Sequence, residues 1–428
     1  MGVLSFIHLS DIHFVKTSGN PADIDQDLRD AIILDININA KRNINNLNGV
    51  LISGDIAFCG DKKEYEKAQD FLEKITDIFE ISRSNIFCVP GNHDVDQTIP
   101  KASTNVYDAQ CILDKACSLD EIDKSFESKM TDKYYNDVLF KPIQEYNEFA
   151  SKFTCSINAN SINWNVQFEL DHEMKLIVHG MNSCFISNSD DHKTPGQNRL
   201  MYIGQAQIPY RKDNTVCMIL CHHPPEDWKF MDKIIKKINK RADIQLYGHK
   251  HEQTITLTEE NIIITSGATH PVRGGDWNPR YNWITIECLR LSEKRVIKVL
   301  IYPRILDEHR DRFIPDTQLC DGKIYLEHYL PIDEKRKNDL LDTINFMDIK
   351  ENNPHKETMG NIEDSINQRE LIYKFFDLSY IRQTEILMEL MLLDEDDAGK
   401  RYSSIISKII YKVKRNNLMK EFWGKINN

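Results

Sequence analysis

Through roughly the first 300 residues, short apolar runs alternate with stretches whose apolar positions recur every three or four residues. That rhythm belongs to layered strands and helices. Runs that read as strands are Leu4–Leu9, Val50–Ser53, Ile86–Val89, Lys175–Val178, Val216–Cys221, Ile244–Tyr247 and Ile262–Thr265. Between them, Asp25–Ala40 is apolar at Leu28, Ile32, Ile36 and Ala40, and Glu64–Ile78 at Ala68, Phe71, Leu72, Ile75 and Ile78. Each pattern gives a helix one apolar stripe to bury.

The rhythm breaks three times. Residues 97–165 are polar and helix-prone and read as a helical cap inserted over the sheets. Residues 283–330 carry strand-like runs such as Val296–Ile301 and read as a β extension. Residues 333–364 lose apolar periodicity, become charged and Asn-rich, and read as a linker. Beyond it, 365–428 is helical again, with apolar sets at Leu371, Ile372, Phe375 and Phe376; Ile386, Leu387, Leu390 and Met391; Ile405, Ile406, Ile409, Ile410 and Val413; and Leu418, Phe422, Trp423 and Ile426. Three or four short helices of this kind form a small bundle. The expected organisation is a catalytic-sized unit at 1–332, a linker, and a helical interaction domain at 365–428.

Composition narrows the function. The 54 Lys and Arg against 66 Asp and Glu leave a formal charge of −12, which argues against gripping nucleic acid through a broad basic surface. A smaller phosphate-bearing substrate stays open if metal ions supply the positive charge. None of the ten cysteines forms a CxxC pair, so zinc ribbons and thioredoxin-like redox motifs are excluded. Several sit in apolar runs and read as buried, reduced thiols. The N-terminus lacks the basic flank of a signal peptide, and no run approaches the ~18 apolar residues of a membrane span. A cytoplasmic protein without membrane contact is expected.

Five short constellations follow predicted strands in order: Asp11-Ile12-His13, Gly54-Asp55, Gly91-Asn92-His93-Asp94, His222-His223-Pro224-Pro225 and Gly248-His249-Lys250-His251. In an extended segment residues i and i+2 share a side, so Asp11 with His13, and His249 with His251, can face one ion each. Asp55 can bridge two ions through its two oxygens. Asn92 offers a neutral oxygen, and Asp94 can orient His93. His222 directly ends its strand, whereas His223 alternates to the other side, which favours His222 as a ligand without excluding His223. Mixed nitrogen and oxygen donors without thiolate suit Mn²⁺, Fe or Zn²⁺, and six or seven of them suit two ions about a bridging carboxylate.

In this order the motifs resemble the calcineurin-like metallophosphoesterase family over roughly residues 4–305. His8-Leu9-Ser10-Asp11-Ile12-His13 and Pro90-Gly91-Asn92-His93-Asp94 look similar to its bacterial cyclic-nucleotide-phosphodiesterase-like members. The resemblance implies a four-layer α/β/β/α sandwich with a dimetal site at the strand C-termini. It implies Asp11, His13, Asp55 and His251 around one ion, Asp55, Asn92, His222 and His249 around the other, and His93 as the transition-state donor. Two such ions lower the pKa of a bridging water so that hydroxide can attack phosphorus, while an imidazole serves the leaving oxygen.

Other residues have plainer readings. His8 reads as a strand residue of the core, and His179 and His270 as structural histidines. Arg199, Arg273 and Arg280 read as solvated surface before phosphate grips, and Gly274-Gly275-Asp276-Trp277 as a loop whose tryptophan could stack on a base. The tail, with Phe376-Asp377-Leu378-Ser379 and Leu392–Asp397, looks similar to adaptor-type helical domains on bacterial anti-phage or conflict effectors.

The function expected is a metal-dependent phosphodiesterase or nuclease acting on nucleotides or nucleic acid, with two divalent ions, Mn²⁺ foremost. It would be recruited as an effector in bacterial defence through a protein partner on 365–428. The alternatives are a phosphomonoesterase or protein phosphatase, and an adaptor acting mainly through its helical tail.

Overall fold

The computed structural model describes residues 2–16, 25–191, 199–270, 278–291, 294–307, 309, 311–331 and 362–427. The expected linker, Arg273 and the Gly274–Trp277 loop lie wholly or largely outside them. The described strands are β1 (Val3–Leu9), β2 (Gly49–Ile52), β3 (Ile86–Cys88), β4 (Asn163–Glu169), β5 (Lys175–Met181), β6 (Thr215–Leu220), β7 (Ile244–Tyr247), β8 (Thr254–Leu257), β9 (Ile262–Thr265), β10 (Arg280–Leu291), β11 (Lys294–Asp307), β12 (Arg312–Pro315) and β13 (Leu326–Pro331).

They form two mixed sheets. One runs β12-β11-β10-β1-β2-β3, with β13 also on β11, and the other β4-β5-β6-β7-β9-β8. The parallel centres are β1-β2-β3 and β5-β6-β7-β9. Strands β2, β3, β6 and β7 are buried along their whole length. That is why they appear in the sequence as unbroken apolar runs rather than alternating ones. The sheets meet face to face through aromatic rings: Phe6 and Phe87 of the first pack on Phe168 of the second, at 5.2 and 5.6 Å. Helices cover the outer faces, completing the four layers.

The helix Lys62–Ile78 starts in a capping box. Asp61 accepts from the Lys63 N–H, and the Glu64 carboxylate returns to the Asp61 N–H. Its stripe buries Tyr65, Ala68, Phe71, Leu72 and Ile75. The expected helix Asp25–Ala40 begins at Gln26 and loosens into a π-turn at Ile36–Ala40. Asp35, just before that turn, is anchored by Arg304 of β11 and the hydroxyl of Tyr281. On the other sheet, helix Met231–Arg241 buries Ile234 and Ile238.

Three local readings change. Residues 97–165 do hold helices, at Thr98–Ala102, Thr104–Asp114, Leu119–Thr131 and Gln144–Ser151. Their inner faces are not polar but join the main core, with Val106, Leu113, Ile122, Phe126, Tyr146 and Phe153 all buried. The end of that segment is strand, since β4 begins at Asn163 and forms the edge of the second sheet. The tail has four helices, Ile362–Asp377, Tyr380–Glu389, Tyr402–Arg415 and Met419–Asn427. Their expected apolar sets are buried or, at Phe376, Leu418 and Trp423, partly buried, except at Met391, which is 84% exposed because its backbone turns left-handed past the helix end.

The tail is pinned to the rest of the chain. Arg369 is buried beneath it, donating to the carbonyls of Ser84 and Ile86 and to the Thr154 hydroxyl. Tyr373 bonds Glu73, Ser403 bonds Glu148, and Arg401 pairs with Glu145. The ten cysteines are free thiols, seven of them buried. No described helix is long and apolar enough to cross a membrane.

Candidate metal centre

The five motifs converge where the C-terminal ends of β1, β2, β3, β6 and β7 meet across the two sheets. Within the first sheet, the Asp11 N–H bonds the Gly54 carbonyl, and the Ile12 and His13 N–H groups share that of Asp55. Within the second sheet the Gly248 N–H bonds the His222 carbonyl, and across the two sheets the His270 N–H bonds the Asp11 carbonyl. His222 Nδ1 lies 2.8 Å from the Ser53 carbonyl.

The i, i+2 argument does not describe how the ligand pairs form. Asp11, His13, Asp55, His249 and His251 all have positive φ, between 52 and 70°. The side chains converge because the backbone curls left-handed, not because it is extended. Each such residue costs about 1–2 kcal/mol, so five together rival the net stability of an ordinary domain. The cost is borne by the packed strands on either side. Strained backbone of this kind gathers at functional sites. Gly54, at φ 98°, sits so close to His222 that a Cβ there would stand 2.5 Å from Nδ1, and a Cβ on Gly91 would run into the Asp55 carboxylate. Both glycines are required by close approach.

Asp55 occupies the middle. Its Oδ2 is 3.5 Å from His13 Nε2 and 3.2 Å from His222 Nε2. On one side, His251 Nε2 is 3.3 Å from Asp11 Oδ1. On the other, Asn92 Oδ1 is 3.1 Å from His222 Nε2 and 3.0 Å from His249 Nδ1. The potential donor atoms of Asp11, His13 and His251, and those of Asp11, Asp55 and His222, lie within 4.8 Å of one another.

Tautomers are fixed from outside. A carbonyl can only accept, so Nδ1–H of His13 donates to His270 O and Nδ1–H of His222 to Ser53 O. Each then turns Nε2 inward, which offers a lone pair once that atom gives up its proton, the usual arrangement of a metal-ligating histidine. His249 is reversed, with Nδ1 inward and Nε2 3.9 Å from Asp227, which Lys250 also engages. His13 Nε2 and Asp11 Oδ1 are buried and make no hydrogen bond. Buried acceptors facing one another are costly unless protons or cations lie between them, and divalent cations can take that place. The donor set therefore fits two ions, with Asp55 between them.

Burial would raise the Asp55 carboxyl, but His222, His93 and His13 hold it well below the carboxylate range. Burial would lower His222, but Asp55 and Asp11 push it up to about 9. Burial lowers His249 to about 4.

His93 lies at the rim, its ring 4.8 Å from that of His13. Asp94 does not orient it. Asp94 is turned inward and accepts from the N–H groups of Ile56, Ala57 and Gly91 and from the Tyr65 hydroxyl. It is a clamp joining the loops that carry Asp55 and Asn92. His93 is oriented instead by the Phe58 carbonyl, 2.9 Å from Nδ1. His223 bonds the Ser183 hydroxyl at 2.7 Å. Its ring packs 4.4 Å from that of His249, beside the Asp55 cluster that His222 joins. Phe58, His270 and Asp227 are site residues that the motifs did not announce. No spacing rule marks a residue that acts through its carbonyl.

The remaining candidates have structural partners. His8 is buried on the Ser53 hydroxyl. Arg199 is held by Ile186 O, Asp191 and Asp114, and Arg280 by Asp316. His179 is half-buried on β5.

Residues 4–253 match the family model of calcineurin-like phosphoesterases, and residues 367–428 that of the GTPase-associated adaptor domain. No curated protein matches the chain. Among solved structures it is similar to a single mutant of Vps29 from Entamoeba histolytica, with 10% identity, 77% of this chain and 99% of that one covered, and a TM-score of 0.28. It is also similar to a predicted phosphoesterase from Streptococcus pneumoniae TIGR4, with 13% identity, 77% and 99% covered, and a TM-score of 0.27. A third is GAP50, the anchor in the inner membrane complex of Plasmodium, with 13% identity, 84% and 99% covered, and a TM-score of 0.33.

Proposed function

The chain belongs to the calcineurin-like phosphoesterase family, and on that premise we propose that it is a divalent-metal-dependent phosphodiesterase acting on nucleotide or nucleic-acid diesters. The observation that carries the reading is Asp55 standing between two sets of inward-facing donors. Asp11, His13 and His251 would hold one ion with it, and Asn92, His222 and His249 the other, Mn²⁺ being proposed first with Fe and Zn²⁺ also suited to such mixed donors. Bound there, the ions supply an activated water and neutralise charge on the phosphoryl oxygens. The chain's own part is positional. In hydrolysis water adds to phosphorus, the bond to the leaving oxygen breaks, and that oxygen takes up a proton. His93 stands at the rim with Nδ1 committed to Phe58 O, which leaves Nε2 to give that proton when the ring is charged. With a charge of −12, the chain draws no polyanion from a distance, which favours short or single-stranded substrates over long duplex.

The test is a panel run with Mn²⁺ on the full chain: bis-p-nitrophenyl phosphate, p-nitrophenyl phosphate, dinucleotides, single- and double-stranded nucleic acid, and a phosphopeptide. Diester turnover lost in Asp55→Ala supports the reading. Faster hydrolysis of the monoester or phosphopeptide than of any diester overturns it in favour of a phosphatase.

A second reading, compatible with the first, is favoured by the match of residues 367–428 to an adaptor family. The tail would recruit the hydrolase to a protein partner in a cytoplasmic bacterial defence system. Tyr380, Ile381, Met388 and Met391 are exposed on this unit, so Ile381→Glu with Met388→Glu is expected to abolish co-purification of a partner and spare turnover. Equal partner recovery from both chains overturns it.

A further inference from the structure

Among the described residues of the metal centre, Asp11, His13, Asp55, Asn92 and His222 are buried polar groups, and beside them stands a large apolar side chain. Phe58 is 44% exposed. Its ring lies 5.2 Å from that of His93, tilted by 31°, and 6.3 Å from that of His13. Its backbone is held at both ends, the N–H by the Phe14 carbonyl at 3.0 Å and the carbonyl by His93 at 2.9 Å. The short parallel bridge between Phe14 and Ala57 places Val15 and Phe58 one step further along the same two segments, and Val15 is also 44% exposed. The polar neighbours are occupied with one another. Lys16 Nζ bonds Asp61 at 3.0 Å, and the Cys59 thiol bonds Glu64.

A single exposed apolar residue is ordinary on a protein surface. An aromatic ring fixed by its backbone against the group that serves the leaving oxygen is a different matter. Such a ring offers a π-face to any planar group carried by that oxygen, at little entropic cost. We infer that Phe58 is a specificity residue, a stacking platform that selects phosphodiesters whose leaving alcohol carries a nucleobase. The inference rests on the phosphodiesterase reading and on His93 as the residue of the leaving side. A base stacked on an aromatic side chain improves binding by about tenfold in typical cases. Leucine at this position would keep the apolar bulk and remove the π-face.

The test compares two diesters followed by release of the same retained product, deoxyadenosine 3′-phosphate: the dinucleotide dApdA, whose P–O5′ bond then breaks with deoxyadenosine as leaving alcohol, and the methyl diester of deoxyadenosine 3′-phosphate, whose bond to the methoxy oxygen breaks with methanol as leaving alcohol. The full chain loaded with Mn²⁺ is compared with Phe58→Leu and Phe58→Trp. Intrinsic differences in leaving-group reactivity cancel between wild type and variant. In Phe58→Leu the kcat/KM preference for the dinucleotide should fall about tenfold, through KM, and Phe58→Trp should restore it. An unchanged preference overturns the proposal alone. An equal loss on both substrates, carried by kcat, also overturns it, because the ring then only supports His93. Failure of the wild type to cleave either diester overturns the phosphodiesterase reading and this proposal with it.

Discussion

The Arg369 guanidinium lies 4.3 Å from the centre of the Phe87 ring, so a cation from the tail is seated on the strand that leads to Asn92 and His93. Three acceptors surround it, the carbonyls of Ser84 and Ile86 and the Thr154 hydroxyl. Arg369→Ala strips these of their donor and opens a cavity. It is expected to cost about 3 kcal/mol, from unpaired buried acceptors and a lost cation–π contact. Arg369→Lys should recover less than half of that, because an ammonium cannot reproduce the planar fork. Urea unfolding of the three chains measures it. A variant within 0.5 kcal/mol of wild type would mean, against the scale set for such contacts, that the tail is not anchored here.

His93 and Asp94 are adjacent in sequence and differ in consequence. His93→Ala should lower kcat by about 100-fold or more with metal content unchanged, as read by turnover and elemental analysis. Asp94→Ala leaves three buried N–H groups without an acceptor, and should cost about 3–4 kcal/mol together with metal affinity. Normal stability in Asp94→Ala would remove the clamp role.

Metal uptake should release protons. Asp55 and Asp11 hold His222 up at about 9 against its burial, so at neutral pH this ring is charged when metal-free, yet a ligand must be neutral. Titration of the metal-free chain with Mn²⁺ in weak buffer at pH 7 should therefore liberate about one proton from this group. Affinity should rise about tenfold per pH unit up to pH 9. Affinity independent of pH between 6 and 8 contradicts the assignment of His222.

His8 sets an acid limit. Burial lowers its pKa from 6.5 to about 3, so the folded state keeps it neutral while the unfolded chain protonates it. A depressed folded pKa gives stability that is complete above 6.5 and is lost as pH falls towards 3. At pH 5 the loss is about 2 kcal/mol. The stability difference between wild type and His8→Gln should shrink by that amount from pH 7.5 to 5, measured by urea midpoints. A constant difference would show that His8 is charged in the fold.

Much of this was legible in the chain. Strands buried on both faces announce themselves as apolar runs, and each motif sits at the end of one, so the residues that converge could be named from order alone. Strand β4 was not legible. Asn163-Trp164-Asn165-Val166 continues a polar, helical stretch, and only pairing with β5 makes it an edge. The curl of Asp11, His13, His249 and His251 was missed because extended geometry brings i and i+2 together equally well on paper. Asp94 was misread because its partners, Ile56, Ala57 and Tyr65, are far away in sequence. Met391 fits a helical stripe, but the helix ends at Glu389.

The carbonyl that sets the tautomer of His13 belongs to His270, 257 positions later. During synthesis the first half of the ligand set is made long before its counterparts exist. Loop closure over such a span is slow, so the nascent chain carries an incomplete chelate until the strands of the second sheet have docked. Metal loading is thus tied to completion of the sandwich. A chain stalled or cleaved before His249 would lack two of the candidate donors as well as the carbonyl that holds His13.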